Sequence, residues 1–397
     1  MSRRPIDRSP DLKHLRDEGY DIAIRSGYLV MKDVPYLNEK MEIKRGVLIS
    51  KLELSNDKAN PPQDHVAHFA GEYPCHKDGT LMKQIGTADP ITLKIDDNLT
   101  ANFTFSAKPK PKDNYDNYFD KMTTYVGILQ GPAQAIDAKE TAQTYPVIRA
   151  ESDEFVFKYI DTASSRAEIT AVCQKLELSK IAIVGLGGTG SYVLDLVAKA
   201  PVKEIHLFDG DTFFQHNAFR SPGAASGEEL DEKLPKVVYF QRIYSKMRHG
   251  IVAHPEYIGP NNVNLLQGMD FVFLCMEGPT KKPVVRKLEE FGIAFIDVGM
   301  GIYLVNDSLC LGGQLRMTLS TPQKRDHVWT KKRIPFSEVA EVNEYDKNIQ
   351  IVDLNALNAA LAVIRWKKLL GFYLDQEHEN FSYYAVGGNE ITNEDKS

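Results

Sequence analysis

The sequence predicts a two-domain α/β chain. A smaller strand-rich domain over residues 1–160 precedes a domain of parallel strands, helices and a closing antiparallel hairpin over residues 161–397. Three observations carry this reading. The 397 residues exceed the span of one ordinary domain. A strand, a glycine-rich turn and a helix follow one another over residues 181–200, and strands alternate with helices from there to residue 298. Beyond Gly299 that alternation gives way to a hairpin.

In the first domain, residues 27–31 and 47–54 are short apolar runs between turn residues, the mark of strands. Residues 107–113 (Ala-Lys-Pro-Lys-Pro-Lys-Asp) are basic and broken by proline, which reads as a solvated loop. In the second domain a helix is expected over 166–176, the buried-type strand at 181–184 and a helix over 191–200. A strand over 204–209, a helix over 234–247, a strand over 270–275, a helix over 283–291 and a strand over 293–297 continue the series. Residues 302–305 and 309–319 flank Asn306-Asp307-Ser308 as the hairpin, and a polar stretch of little periodicity fills 320–347. The last long helix, 354–373, spaces Leu357, Leu361, Ile364 and Leu369 at three and four, and a strand over 381–386 follows. No internal repeat is evident.

Composition excludes some classes. The 48 Lys+Arg against 54 Asp+Glu give a net charge of -6, so nothing marks the whole protein as a binder of nucleic acid or anionic membrane, and any phosphate site must be local. The basic start, Met1 to Arg8, meets Asp11-Leu12-Lys13-His14 rather than an apolar run, so no secretory signal is expected. No stretch approaches the roughly 18 apolar residues of a membrane span. The four cysteines, Cys75, Cys173, Cys275 and Cys310, contain no Cys-x-x-Cys pair, which argues against a disulfide scaffold and a four-cysteine zinc site. A cytoplasmic protein is expected.

The first chemical signal is Gly185-Leu186-Gly187-Gly188-Thr189-Gly190 between strand and helix. Glycines here let the backbone turn and approach a phosphate, while the next helix offers free N–H groups and a partial positive charge. Asp209 ends the following strand about 20 residues on, where a carboxylate accepts ribose hydroxyls. Both features fit NAD as well as ATP. The loop after Asp209 separates the two, because it carries Asp211, Asn217 and Arg220 and is followed by Pro235-Lys236. A dinucleotide site has no use for that pair of cations. Attack at the α-phosphorus of a triphosphate does, since the β and γ groups must be neutralised and held in line. Arg220 and Lys236 are the candidates. Glu277, just beyond the strand ending at Cys275, is placed to hold Mg²⁺, and Asp211 to support the cation or orient Arg220.

Gly-x-Gly-Gly-x-Gly, then Asp-x-Asp-Thr, Asn eight and Arg eleven residues after the first Asp, then Pro-Lys, resembles the ThiF and ubiquitin-activating enzyme (E1-like) superfamily over residues 165–386. The resemblance implies a Rossmann-like ThiF-type adenylation domain using ATP and Mg²⁺. Asp209 would then bind ribose, Asn217 would order the loop, and Arg220 and Lys236 would bind the triphosphate. Glu277 stands where relatives usually have a Mg²⁺-binding Asp, and Ser221 where many have Gln. An upstream Arg in such enzymes, sometimes from the partner subunit of a dimer, touches the γ-phosphate, and Arg166 is the candidate. The implied reaction is adenylation of the C-terminal glycine carboxylate of a ubiquitin-like protein, with release of pyrophosphate, by a homodimer of the bacterial conjugation type, a conjugating enzyme being a further partner. Structural zinc is not expected, since the Cys-x-x-Cys pairs are missing.

Most such enzymes trap the acyl group on a cysteine after the sheet, but residues 311–397 contain none. Cys275, Cys173 and Cys310 read as structural. Cys75 stands among His65, His68 and His76, imidazoles able to lower a thiol pKa or bind a metal, and is the remaining candidate beside a packing role. The rivals are adenylation of a sulfur carrier or of another carboxylate or tRNA acceptor, a nucleotide-binding scaffold without turnover, and an NAD-dependent oxidoreductase.

Overall fold

Residues 4–150, 155–336 and 349–397 are described in the computed structural model. They divide into two units, Met1–Glu151 with Asp161–Glu168, and Ser152–Ile160 with Ile169–Ser397.

The first unit holds α1 (Arg4–Arg8), α2 (Pro10–Asp17), β1 (Ile22–Arg25), β2 (Tyr28–Leu37), β3 (Ile43–Lys51), the small pair β4 (Leu54–Ser55) and β5 (Lys58–Ala59), and β6 (Val66–Ala70). The hairpin β7 (Leu93–Asp96) and β8 (Leu99–Ala101), β9 (Phe103–Ser106), α3 (Tyr118–Gln134) and α4 (Thr162–Arg166) complete it. Strands β1-β2-β3-β6-β9 form an antiparallel sheet. Because side chains alternate along a strand, Leu29 and Met31 of β2 enter one core with Phe69, Phe105, Met122 and Tyr125, while Val30 enters a second on the other face with Ile49, Ile95 and Ala101. The strand-rich expectation holds, with one addition. Residues 118–134 read as aromatic and β-branched with two glycines, yet form a helix capped by Asn117, whose side chain accepts from Asp120 N, and bury Tyr118, Met122, Tyr125 and Leu129 against the sheet.

In the second unit, α5 (Thr170–Cys173), β10 (Lys180–Val184), α6 (Gly188–Val197), β11 (Glu204–Phe208), α7 (Gln215–Ala218), α8 (Gly227–Asp231), α9 (Lys236–Tyr244), β12 (Ile251–His254), β13 (Phe271–Leu274) and α10 (Lys281–Glu290) come first. Then follow β14 (Ala294–Val305), β15 (Cys310–Ser320), α11 (Asp326–Thr330), α12 (Val352–Leu369), β16 (Phe381–Ala385) and β17 (Glu390–Glu394). Eight strands order as β12-β11-β10-β13-β14-β15-β16-β17. The first five are parallel, and β14 through β17 pair antiparallel. This is the expected Rossmann-like α/β sheet with an antiparallel extension.

Four details differ from the sequence reading. The helix expected over 166–176 is divided between α4 and α5, because Glu168 takes a positive φ of 57° that no helix interior accommodates. The strands expected at 293–297 and 302–305 are one, since β15 pairs along β14 from Phe295 to Val305 without a break at Gly299. The edge strands β12 and β17 were not expected. Finally, α12 turns Asn355, Asn358, Ala359, Ala362, Val363 and Trp366 inward, not the leucine face, and Ile364 is 43% exposed. Small and amide side chains win because α12 packs directly on α6, where Asn355 fills the space a Cβ on Gly188 would need. Of the polar stretch 320–347, residues 337–347 lie outside the described residues.

Candidate functional site

Strand order sets the position of the site. The chain leaves β10 for β11 and β12 on one side and returns to β13 and β14 on the other, so the two halves diverge between β10 and β13, where open α/β sheets leave a crevice at their carboxyl ends. A cavity of about 730 Å³ opens there. Gly185, Gly187, Gly188, Asp209, Asp211, Arg220, Lys236 and Glu277 all line it.

The glycines do different things. Gly185 turns the chain at φ 90°, and a Cβ there would stand 2.7 Å from the Cys275 carbonyl oxygen. Gly190, outside the lining, lets α6 pack against the Gly185 carbonyl. Around Gly187 a Cβ would meet nothing within 4 Å, so that space belongs to the cavity. Gly187 is also the N-cap of α6 and supplies no side-chain cap, which leaves the first-turn N–H groups to a ligand.

Asp209, 6% exposed, is fixed by the same loop, its Oδ2 accepting from Leu186 N at 2.6 Å and its Oδ1 from Asp211 N at 2.8 Å. Lys236 opens α9, and its Nζ lies 2.6 Å from Asp211 Oδ2 and 3.7 Å from Asp209 Oδ1. Asp211 also accepts from the Tyr257 hydroxyl. Burial works against ionisation of Asp211, but the hydrogen bonds from Lys236 and Tyr257 and the charges of Lys236 and Arg220 together hold its carboxyl below the usual range. The same hydrogen bond to Asp211, followed by burial, pushes the Tyr257 phenol up to about 12.

Asn217 is buried behind the lining, where its Oδ1 accepts from Phe214 N at 2.9 Å and its carbonyl from Arg220 N at 3.1 Å, closing the turn that presents Arg220. Arg220 Nε is buried without a hydrogen-bond partner among the described residues. Glu277 is the acidic side chain of the cavity beyond β13, and no group of three or more His, Cys, Asp or Glu able to hold a metal ion occurs among the described residues. One carboxylate beside a phosphate cradle suits a cation that takes its other ligands from phosphate and water, as Mg²⁺ does.

Arg166 and Cys75 belong to the first unit. Cys75 is fully buried and its thiol, donating to the Tyr73 carbonyl at 3.5 Å, is pushed up by burial rather than down by imidazoles. Its neighbours in sequence face elsewhere: His65 meets Ser106, His68 meets Thr104 and His76 meets Gln84. Burial, then the Asp297 charge, likewise raises the Cys275 thiol. Sequence spacing missed Tyr257, Gln350 and Asn358 of the lining. Tyr257 follows the unforeseen strand β12, and Asn358 is not among the apolar residues that the periodicity of α12 picked out.

Residues 10–162 match a domain of unknown function (DUF6791), and residues 159–299 match the ThiF family. No curated protein sequence matches the chain. Among solved structures, E. coli MccB with succinimide is 18% identical, over 59% of this chain and 72% of that one, at a TM-score of 0.46. MccB in complex with N-formylated MccA is 19% identical over 59% and 69%, also at 0.46, and PaaA is 14% identical over 57% and 75% at 0.44. Residues 159–299, which hold the glycine loop, Asp209 and the parallel strands β10 to β13, carry a ThiF-family domain.

Proposed function

We propose that the protein adenylates a C-terminal carboxylate with ATP, and that the carboxylate is the terminal glycine of a ubiquitin-like protein. The observation that supports the reaction is that Arg220 and Lys236 meet the glycine loop and Asp209 in one cavity. Asp209 would receive the ribose hydroxyls, and the N-terminus of α6 the α-phosphate. Arg220 and Lys236 would neutralise the β and γ phosphates, which leave as pyrophosphate when the carboxylate oxygen bonds to the α-phosphorus. Mg²⁺ held by Glu277 would share that neutralisation. The acceptor class rests on the loop motif alone. A homodimer would cover the apolar residues exposed along α12, Val352, Ile364 and Leu369.

ATP–pyrophosphate exchange with carrier proteins ending in glycine tests the proposal. Exchange that needs the free C-terminus and falls by about 10²-fold or more in Arg220→Ala supports it. No exchange with any carrier, together with tight NAD binding, overturns it.

A further inference from the structure

We infer, on the basis of the adenylation reading above, that the end of the cavity between β14 and α12 takes a peptide segment through a backbone N–H group, and that Asn358 is the side chain that reads it. Asn358 lines the cavity yet is 1% exposed. Its Nδ2 donates to the Gly299 carbonyl at 3.1 Å, and since that carbonyl only accepts, the amide orientation is fixed with Oδ1 left over. Oδ1 has no partner among the described residues, and neither has the buried Oε1 of Gln350 in the same cavity. Two buried acceptors without donors are costly in isolation, and they specify a ligand that brings a proton.

The nucleotide's charged end does not meet that need, because phosphate and carboxylate oxygens carry no proton to donate at neutral pH. The nucleoside's donors are the ribose hydroxyls and the adenine amino group. The hydroxyls belong with Asp209 after β11, three strand spacings or about 14 Å across the sheet edge from Gly299 on β14, and an adenine amino group that met Asn358 would leave the two analogues below indistinguishable. Arg220 and Lys236 gather the anionic groups on the β11 side. The acyl chain takes the β14 side, and its donor nearest the reacting carbon is the amide N–H of its C-terminal residue, one Cα away from the carboxyl carbon.

Two analogues of the acyl-adenylate that differ by one N–H decide the matter: N-acetylglycyl sulfamoyladenosine and its ester counterpart, acetoxyacetyl sulfamoyladenosine. Titrated calorimetrically into the full chain, the amide is expected to bind about tenfold more tightly than the ester. Asn358→Leu should bind the two within about twofold of each other, and Asn358→Asp, which keeps an acceptor oxygen, should retain a preference for the amide. Equal binding by the wild-type protein would mean that water or the adenine amino group satisfies Asn358 and overturns the inference, whether or not the variants fold; an unchanged preference in Asn358→Leu overturns it as well. If ATP and both analogues bind alike, only the role of Asn358 falls. If neither ATP nor either analogue binds, the adenylation reading falls with it.

Discussion

Gly187→Ala separates a ligand-binding role for the glycine loop from a packing role. At φ -69° and ψ -159° the position accepts an L side chain, and its Cβ would meet no protein atom within 4 Å. Replacing glycine in such a place stiffens the unfolded chain, a gain of about 0.4–1 kcal/mol, but alanine is a poorer N-cap by a similar amount, so the fold should be unchanged to within about 1 kcal/mol. The methyl group would project into the space where a phosphate must approach the first N–H groups of α6, and ATP affinity should fall at least about tenfold, about 1.4 kcal/mol. Gly190→Ala should act through packing instead. Its Cβ would overlap the Gly185 carbonyl oxygen and stand 3.1 Å from Cys275 Cβ, and neither can move aside without shifting the loop. The cost should approach the top of the overpacking range, about 3 kcal/mol. The two tryptophans, Trp329 and Trp366, both lie in the second unit, so fluorescence in a urea series reads its stability, and calorimetric titration reads ATP binding. A Gly187→Ala protein that binds ATP as the wild type does would refute the assignment of this loop to phosphate.

Three further outcomes are expected. Trp366, fully buried with Phe271 and Phe273 at centroid distances of 6.5 and 6.0 Å, should cost about 3–5 kcal/mol when replaced by alanine, read by circular dichroism during urea unfolding; a loss below about 1 kcal/mol would contradict its place in the core. His68, His254 and His327 are all held below the ordinary histidine range, first by burial. The unfolded chain, titrating near about 6.5, therefore takes up protons that the fold refuses, and stability should be full above that pH and decline below it; equal urea midpoints at pH 7.5 and 5.5 would count against this. Cys310 is exposed while Cys75 is fully buried, so a thiol reagent should show a fast phase that Cys310→Ser removes, with Cys75 reacting only on unfolding; a fast phase that disappears in Cys75→Ser instead would contradict the burial.

Local chemistry made the second unit legible. The loop from Gly185 to Gly190 must lie between a strand and a helix, because glycine-permitted turns and uncapped N–H groups are useful only there, and the match of residues 159–299 to the ThiF family agrees. The hairpin around Asn306-Asp307-Ser308 was legible for a similar reason, since polar turn residues between apolar runs have few other solutions. α3 was not, because its aromatic and β-branched residues favour a strand when taken alone, and the sheet they pack against decides otherwise. α12 misled through its periodicity: leucines at three and four describe an apolar face, but not which face the neighbours prefer.

By itself, then, the sequence determined the residue types a nucleotide requires, their order, and the α/β alternation that carries them, all of which follow from short-range spacing. Tertiary structure decided which of them share a wall. The order β11-β10-β13-β14 brings loops from four separate strands to one edge, so that residues from Val184 to Asn358 line a single cavity. It also decided that Cys75 is packed rather than poised, and that an amide on α12 faces the cavity with an oxygen that has no partner among the described residues. Burial and hydrogen-bond satisfaction depend on which distant segments meet, and spacing along the chain does not encode that.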